Sequence, residues 1–283
     1  MLEILLETFL ESLFILLSLY VIYVVIEIIE QKGDESKLAR ALQGKRAPIL
    51  GGALGIVPEC GLSVMSAKLY DSGFIRMGTL IAIFLSSSDE GLVVLLSGLT
   101  QGVKVVNLLL FIGLKIIFAV GIGYIVNALM RKREIINVGT KTDVCKECNE
   151  EHKGFSDKYI FHPLFHALKI YAFVLIVDVA FALLIYYVGE ENISNFLSAS
   201  RWVQPIVCPL VGLIPNCSSS VVISELYVKG GLTFAGLLSG LMANAGLGLT
   251  ILFKNKKNIK KSLLIVGVLY LSSVAVGYLV SLF

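Results

Sequence analysis

The sequence predicts an all-α polytopic membrane protein in which two inverted repeats bring broken or re-entrant helices together near the middle of the bilayer. Three observations support this fold: the composition, the long apolar stretches, and a repeat within the chain. Of the 283 residues, 56% are hydrophobic and 16% are charged, whereas a soluble domain carries about a quarter charged residues. Neither a single soluble core nor a disordered chain is therefore expected.

Four apolar stretches are long enough to cross a bilayer, since a hydrocarbon core of about 30 Å needs about 20 residues of helix. These stretches are 2–29, 104–130, 163–188 and 262–283. Two further apolar blocks, 48–99 and 202–253, are interrupted by Gly, Pro, Ser and polar residues. No block has the ten-residue alternation of a transmembrane β-barrel. The first stretch lacks the basic start of a signal peptide, so we expect a retained membrane helix.

Basic residues are concentrated in three short segments, which hold 17 of the 24 lysines and arginines. Segment 31–47 holds five of them, segment 131–160 holds seven, and segment 254–261 holds five. Segment 189–200 instead has two glutamates and no basic residue. The positive-inside rule places the three basic segments in the cytoplasm and 189–200 outside, with both termini outside. We expect the inner (plasma) membrane of a prokaryotic-type cell.

An internal repeat links the two interrupted blocks: residues 49–92 align without a gap to residues 206–249, 157 positions later. The identical pairs include Gly55/Gly212, Pro58/Pro215, Cys60/Cys217, Ser63/Ser220, Tyr70/Tyr227, Gly73/Gly230, Leu80/Leu237 and Gly91/Gly248. Because the charge pattern sends the two copies across the membrane in opposite directions, we predict that the repeats are inverted. We expect membrane repeat 1 at 1–130, a cytoplasmic loop at 131–161 and membrane repeat 2 at 162–283.

Each copy is predicted to contain two breaks in its helices. The first breaks are expected at Pro58–Gly61 and Pro215–Ser218, and the second breaks at Ser86–Gly91 and Ala243–Gly248. Inverted repeats with broken helices are the usual plan of secondary transporters, whose sites lie near the midplane. One re-entrant hairpin plus one span, or three short spans, satisfies the predicted crossing direction of each block equally well.

The first breaks carry the strongest candidate binding site. Proline frees carbonyls and exposes a helix end, so Pro58, Gly61 and Pro215 are expected to shape two tips. If symmetry makes the tips converge on one pocket, the donor groups there come from Glu59, Cys60, Asn216, Cys217, Ser218 and Ser219. This mixture of thiols, carboxylate, amide and hydroxyls fits a transition metal or metalloid. Two packing cysteines beside helix kinks are the alternative.

The second breaks carry carboxylates. Asp89 and Glu90 are adjacent within an apolar block, which is costly unless they face water, a cation or a proton path. We expect both to serve as proton or ion-coupling sites, with Asn244 of the matched segment as a further ligand. An ordinary exposed loop is the alternative.

Further candidate residues lie outside the breaks. Asp178 is about midway along 163–188, where it is a third candidate for ion coupling or an ion-pair partner of Lys115. The cytoplasmic loop contains a metal-type spacing formed by Cys145, Cys148 and His152. We expect a transient metal-handing site there. A passive thiol pair is the alternative, because a single C-x-x-C is weak evidence for a metal site.

The sequence around the first breaks resembles a family of manganese and heavy-metal exporters, described as ten-helix permeases related to arsenic efflux proteins. The resemblance is carried by Ile-Val-Pro-Glu-Cys-Gly-Leu-Ser at 56–63 and by Leu-Ile-Pro-Asn-Cys-Ser-Ser-Ser at 213–220, and it spans nearly the whole chain. It implies five helices per repeat, in agreement with three short spans in each block, and it implies export of a metal.

Together these features predict a secondary active transporter, not an enzyme, that exports a divalent transition or heavy metal ion such as manganese in exchange for protons. No P-loop is present, so direct ATP drive by this chain is not expected. We expect no permanently bound cofactor. The predicted partners are the transported metal ion and the lipid bilayer, with a homodimer as an option. The net charge of +3 is too small to indicate nucleic-acid binding.

Two other functions stay open from the sequence. A transmembrane thiol–disulfide electron carrier would use Cys60 and Cys217 as its redox pair. A permease for an organic metalloid or sulfur compound would keep the thiols but need an uncharged pocket. The carrier has no use for the carboxylates Glu59, Asp89 and Glu90, which favours metal transport.

Overall fold

The computed structural model describes most of both interrupted blocks and the long helix that follows each of them. The described residues are 44, 46–56, 60–87, 89–101, 103–130, 201–215, 217–254 and 259–282, together with positions 20, 168 and 179. Within these ranges the regular structure is entirely helical, which confirms the predicted helical class. Apart from the three isolated positions, 2–29, 131–161 and 163–188 lie outside the described residues.

The described chain forms two blocks, block 1 (46–130) and block 2 (201–282), and each contains four short helices followed by a long one. In block 1 these are α1 (Ala47–Leu54), α2 (Cys60–Asp71), α3 (Met77–Ser86), α4 (Asp89–Ser97) and α5 (Val105–Met130), with a 3₁₀ turn at Gly98–Gln101. In block 2 they are α6 (Gln204–Gly212), α7 (Cys217–Val228), α8 (Phe234–Ala243), α9 (Gly248–Lys254) and α10 (Ile259–Ser281). Each of the four predicted breaks overlaps a boundary between two helices, and each range also includes the first residue or residues of the helix that follows.

The helix boundaries repeat at the interval seen in the sequence. α2 and α7 begin and end 157 positions apart, and so do α3 and α8. Each of α2 and α7 is followed by a glycine with positive φ, 79° at Gly73 and 78° at Gly230. The amide of Gly73 donates to the Tyr70 carbonyl, and that of Gly230 donates to the Tyr227 carbonyl. Both helices therefore end in the same glycine-dependent motif, because a Cβ disfavours this conformation.

The centre of the structure is formed by α3 and α8. All of α3 and nearly all of α8 are buried. α3 packs on α5 and α1, α8 packs on α10 and α6 in the same way, and α3 also contacts α8. Small residues allow this close approach, as they do between membrane helices generally. A Cβ built on Gly123 would meet Pro48 and Ala82. A Cβ built on Gly277 would meet the equivalent residues of block 2, Pro205 and Ser239.

The two blocks exchange their fourth helices. α4 packs mainly on α7 of block 2, and α9 packs mainly on α2 of block 1. A Cβ on Gly91 would lie 3.1 Å from the Ser220 Cβ, and one on Gly248 would lie 2.7 Å from the Ser63 carbonyl oxygen. Gly91 and Gly248 are repeat equivalents, as are Ser63 and Ser220. The blocks are therefore interlocked through matched positions.

Four helical segments of the described chain are long and apolar enough to span a membrane. Two are α5 and α10, and the other two join α3 to α4 (Met77–Ser97) and α8 to α9 (Phe234–Phe253). The most apolar parts of α5 and α10 are only 22% and 28% buried, against 75% and 83% for the other pair. The long helices therefore expose apolar side chains, as helices facing lipid do, whereas the broken pair is enclosed by protein.

The close approach of α6 to α8 provides a test of this packing. A Cβ on Gly212 would overlap the carbonyl oxygen of Gly240, which belongs to the backbone and cannot rotate away. We expect Gly212→Ala to lower the free energy of unfolding by about 1–3 kcal/mol, as overpacking does, and to lower the thermal unfolding midpoint in detergent. Gly113→Ala is the matched control, because a Cβ there meets nothing within 4 Å. Equal midpoints for the two variants would contradict this packing.

Candidate functional site

The second break of block 1 lies against α7. α3 stops at Ser86, and the backbone of the next residue turns to an extended conformation, with the amide of Ser87 donating to the Ile83 carbonyl at 2.9 Å. The chain restarts as α4 at Asp89. A Cβ on Gly91 would lie 2.9 Å from the Ser224 hydroxyl oxygen. The break is therefore held directly on the first two turns of α7.

The second break of block 2 lies against α2 in the equivalent way. Asn244 is buried, and its side-chain oxygen accepts a hydrogen bond from the amide of Gly246 at 2.9 Å. Gly246 has a φ of 51°, which glycine adopts readily. A Cβ on Gly248 would lie 2.8 Å from the ring of Phe84 and 2.7 Å from the Ser63 carbonyl oxygen. The buried amide of Asn244 thus shapes a tight turn against the first turn of α2.

The predicted carboxylates begin α4. Asp89 is its first residue, and Glu90, the second, is exposed at the surface of the folded chain. Negative charge at the start of a helix is favoured by the helix dipole. The carboxylate pair is therefore part of a helix N-terminus that packs on the other block, and it does not lie in a long surface loop.

The first breaks place the two repeat cysteines at helix starts. α2 begins at Cys60 and α7 begins at Cys217. The first amides of a helix have no intrahelical partner, and they favour negative charge such as a thiolate. The hydroxyl of Ser219 donates to the Ile214 carbonyl at 3.3 Å, so the break before α7 is bridged by a side chain. Pro215 is half-buried at this break.

We call the packing of α4 on α7 and of α9 on α2 the crossings of the broken helices. The crossings bring the first break of one block beside the second break of the other. The α2 start lies beside the second break of block 2, and the α7 start lies beside the second break of block 1. The sequence alignment matched first break with first break, because an alignment identifies equivalent positions and not adjacent ones. The expected meeting of the Pro58 and Asn216 tips lies outside the described residues.

Buried hydroxyl groups accumulate along the crossings. The buried serines on α2, on α7 and at the second break of block 1 are Ser63, Ser66, Ser86, Ser87, Ser219, Ser220 and Ser224. Several satisfy themselves locally: Ser66 donates to the Ser63 carbonyl and Ser86 to the Ala82 carbonyl, both at 2.8 Å. The hydroxyl of Ser224 is fully buried and has no hydrogen-bond partner within the described part of the chain.

Sequence reasoning missed Ser224. Its repeat equivalent is Ala67, so the alignment drew no attention to it. The signal that could have found it is spacing, since Ser224 follows Ser220 by four residues and therefore lies on the same face of α7.

The ammonium of Lys115 lies at the second break of block 1. The side chain is 2% exposed, and its ammonium donates to the carbonyl oxygen of Ser87. It also lies 5.5 Å from the centre of the Phe111 ring, within range of a cation–π interaction. The expected partner Asp178 lies outside the described residues. α5 thus contributes a buried cation to the second break of block 1.

Several predicted site residues lie outside the described part of the chain. These residues are Pro58, Glu59, Asn216, Asp178, Cys145, Cys148 and His152. Only the backbone is described for Cys60, Gly61, Asp89 and Cys217. Ser218 is half-buried and Ser219 is fully buried. Among the residues that the structure describes, no group of three His, Cys, Asp or Glu side chains is placed to share a metal.

A separate crevice of about 840 Å³ opens between α5, α8 and α10. It is mostly apolar, with Leu110, Phe118, Trp202, Phe234 and Val280 among its lining residues. None of the predicted site residues lines it, and its polar lining residues, Arg201, Thr233 and Ser281, provide no carboxylate, thiol or imidazole for a metal ion. The crossings of the broken helices, and not this crevice, are therefore the candidate site.

No curated protein and no solved structure matches the chain. A family model does match, at residues 1–177 and 167–283, which together span the whole sequence. The family, ArsP_2, carries the description "Putative, 10TM heavy-metal exporter", which names a membrane transporter, in agreement with the apolar helices described above. The chain is therefore an integral membrane protein that belongs to the ArsP_2 family.

Proposed function

We propose that the protein is a secondary active transporter that exports a divalent transition or heavy metal ion, such as manganese, in exchange for protons. The observation that carries the proposal is the crosswise pairing of broken helices from the two blocks. Broken helices at a repeat interface are where secondary transporters bind substrate and coupling ions. The family description supports the metal class of the substrate.

We infer that the two blocks are inverted repeats. The support is that the packing pattern is unchanged when the blocks are exchanged: α4 on α7 corresponds to α9 on α2, and α3 on α5 corresponds to α8 on α10. A two-fold relation produces such a pattern. Combined with the cytoplasmic placement of the basic segments 31–47, 131–160 and 254–261 and with both termini outside, the two-fold axis would lie in the membrane plane.

The metal would bind at the first breaks. Cys60 and Cys217 begin helices, and the partial positive charge of a helix start repels a bare cation. Anionic donors are therefore needed there, and two thiolates together with the Glu59 carboxylate would supply them. Asn216, Ser218 and Ser219 would complete the donor set with neutral oxygens. The oxygen of Asn244 accepts from Gly246, which favours a role in holding the turn.

Coupling would involve the carboxylates Asp89 and Glu90, with Asp178 as a third candidate. α4 begins with this pair and packs on α7 just beyond Cys217. A proton gained there would change the charge beside the proposed metal donors of block 2. The metal is the substrate, no cofactor is permanently bound, and Cys145, Cys148 and His152 would hand metal to the cytoplasmic mouth.

Loss of a carboxylate tests the coupling site and the metal site. We expect Glu59→Gln or Asp89→Asn to abolish proton-driven metal flux in proteoliposomes, because each removes a charge that cation binding or proton exchange requires. Glu225→Gln is the control, since Glu225 is 51% exposed and paired with Lys229 at 2.7 Å on the surface of α7, where such pairs contribute little. Unchanged flux in both test variants would rule out the proposed site.

Metal-dependent stabilisation tests the thiol donors. Binding to the native state raises stability by mass action, by about 2.7 kcal/mol at a hundred times the Kd. We expect one of manganese, zinc, cobalt or arsenite to raise the thermal midpoint of the native protein most, and Cys60→Ser or Cys217→Ser to remove that shift. Cys208→Ala is the matched control, because Cys208 is a fully buried packing residue of α6. A shift that survives both serine variants would argue against thiol ligands.

A thiol–disulfide electron carrier is the second candidate, and the observation that favours it is that Cys60 and Cys217 occupy matched positions at the starts of α2 and α7. In this alternative, thiol–disulfide exchange would oxidise Cys60 and Cys217 to a disulfide and reduce the disulfide of an acceptor to two thiols, which take up the two electrons and two protons. Three results together would support the carrier over the exporter. A Cys60–Cys217 disulfide would be trapped, Cys60→Ser would lose thiol transfer, and no metal ion would shift the thermal midpoint.

A further inference from the structure

Lys115 is a buried ammonium in a helix that is apolar enough to span a membrane. Its side chain is 2% exposed, midway along α5. Burying a charge in such surroundings is expensive unless partners compensate it, and buried membrane charges usually serve a function. The described partners here are the Ser87 carbonyl oxygen and the ring of Phe111. The lysine therefore points at the second break of block 1.

The Ser87 carbonyl lies at the C-terminal end of α3. The last carbonyls of a helix have no intrahelical partner, and they carry the negative end of the helix dipole. In transporters with broken helices, such half-helix carbonyl ends coordinate sodium or other coupling cations. The ammonium of Lys115 thus occupies a place where a monovalent cation would otherwise be favoured.

Block 2 lacks this cation. Gly123 of α5 and Gly277 of α10 meet equivalent neighbours in the two blocks. Aligning these two glycines aligns α5 with α10 at an offset of 154 residues. At that offset Lys115 corresponds to Leu269, which is fully buried. The second break of block 2 is closed instead by the neutral side chain of Asn244, the repeat equivalent of Ser87.

The carboxylates show the same asymmetry. The repeat equivalents of Asp89 and Glu90 are Gly246 and Leu247. Block 1 therefore has both the buried cation and the carboxylate pair at its second break, whereas the equivalent positions of block 2 carry uncharged residues. The lysine and the carboxylates are thus both present in block 1 and both replaced by uncharged residues in block 2. This joint occurrence indicates that the ammonium of Lys115 and the second break of block 1 form one functional unit.

We propose that Lys115 is a built-in cation that holds the second break of block 1 in the place of a bound monovalent ion. It is a positioning residue: its ammonium fixes the carbonyl end of α3 and thereby the start of α4, where the coupling carboxylates lie. The proposal deepens the proposed transport function and rests on it for the coupling role. It implies that export needs no sodium at this break.

Chemical complementation of a truncated lysine tests the proposal without any transport assay. Lys115→Ala removes a propylammonium-sized group, so we expect a lower thermal midpoint in detergent, with most of the loss recovered by millimolar propylammonium but not by 1-propanol. Leu269→Ala is the matched control at the equivalent depth of α10, and neither additive should restore it. An unchanged midpoint in Lys115→Ala, or equal recovery by 1-propanol, would overturn the proposal.

Two further variants cover the case in which Lys115→Ala does not fold. Lys115→Arg keeps the charge and Lys115→Met keeps the bulk, so we expect metal flux to fall about ten-fold in the methionine variant, equivalent to 1.4 kcal/mol, with KM little changed and most flux retained by arginine. Equal flux in the two variants would overturn the proposal. If the native protein moves no metal, the transport function fails, while recovery by propylammonium still decides the role of Lys115.

Discussion

A helix that stops inside a bilayer must have its free backbone groups satisfied by the protein, because lipid offers no hydrogen bonds. The breaks described above meet this requirement with nearby side chains. Lys115 donates to the Ser87 carbonyl, Ser219 donates to the Ile214 carbonyl, and Asn244 accepts from the Gly246 amide. Three of the four breaks therefore have a partner of this kind, and two of these partners lie where α3 and α8 end within the buried centre of the protein. The crossings, and with them the candidate site, depend on this local satisfaction.

The frame of the protein is symmetric, but its chemistry is not. Glycines at equivalent positions, such as Gly91 and Gly248, let the exchanged helices pack in the same way in both blocks. At the second breaks, by contrast, block 1 combines a lysine with two carboxylates where block 2 has neutral residues. The proposed proton exchange needs a titratable group in at least one block, and block 1 carries the two carboxylates. Duplication supplies the frame, and divergence supplies the charges.

Much of the frame could be predicted from the sequence because it depends on local signals. Proline and glycine mark where helices break, and the repeat doubles each of these signals, so all four predicted ranges, Pro58–Gly61, Pro215–Ser218, Ser86–Gly91 and Ala243–Gly248, overlap a boundary between helices. The partners of the breaks could not be predicted in this way. Alignment relates Ser87 to Asn244 as equivalents, but it contains no information on which helix covers either one. The expected pairing of Lys115 with Asp178 was likewise based only on depth along two helices.

The sequence by itself determined that this is a helical membrane protein with two copies of a twice-broken unit, and it identified the cysteines and carboxylates at the breaks. Hydropathy, proline, glycine and the 157-residue repeat act locally or through self-similarity, so they are readable without coordinates. Only the tertiary structure decided that each α4-type helix leaves its own block, that the first break of one copy lies beside the second break of the other, and that Lys115 serves the Ser87 carbonyl. These contacts join residues far apart in the chain, and they are selected by shape and by the need to satisfy buried polar groups, which no local pattern encodes.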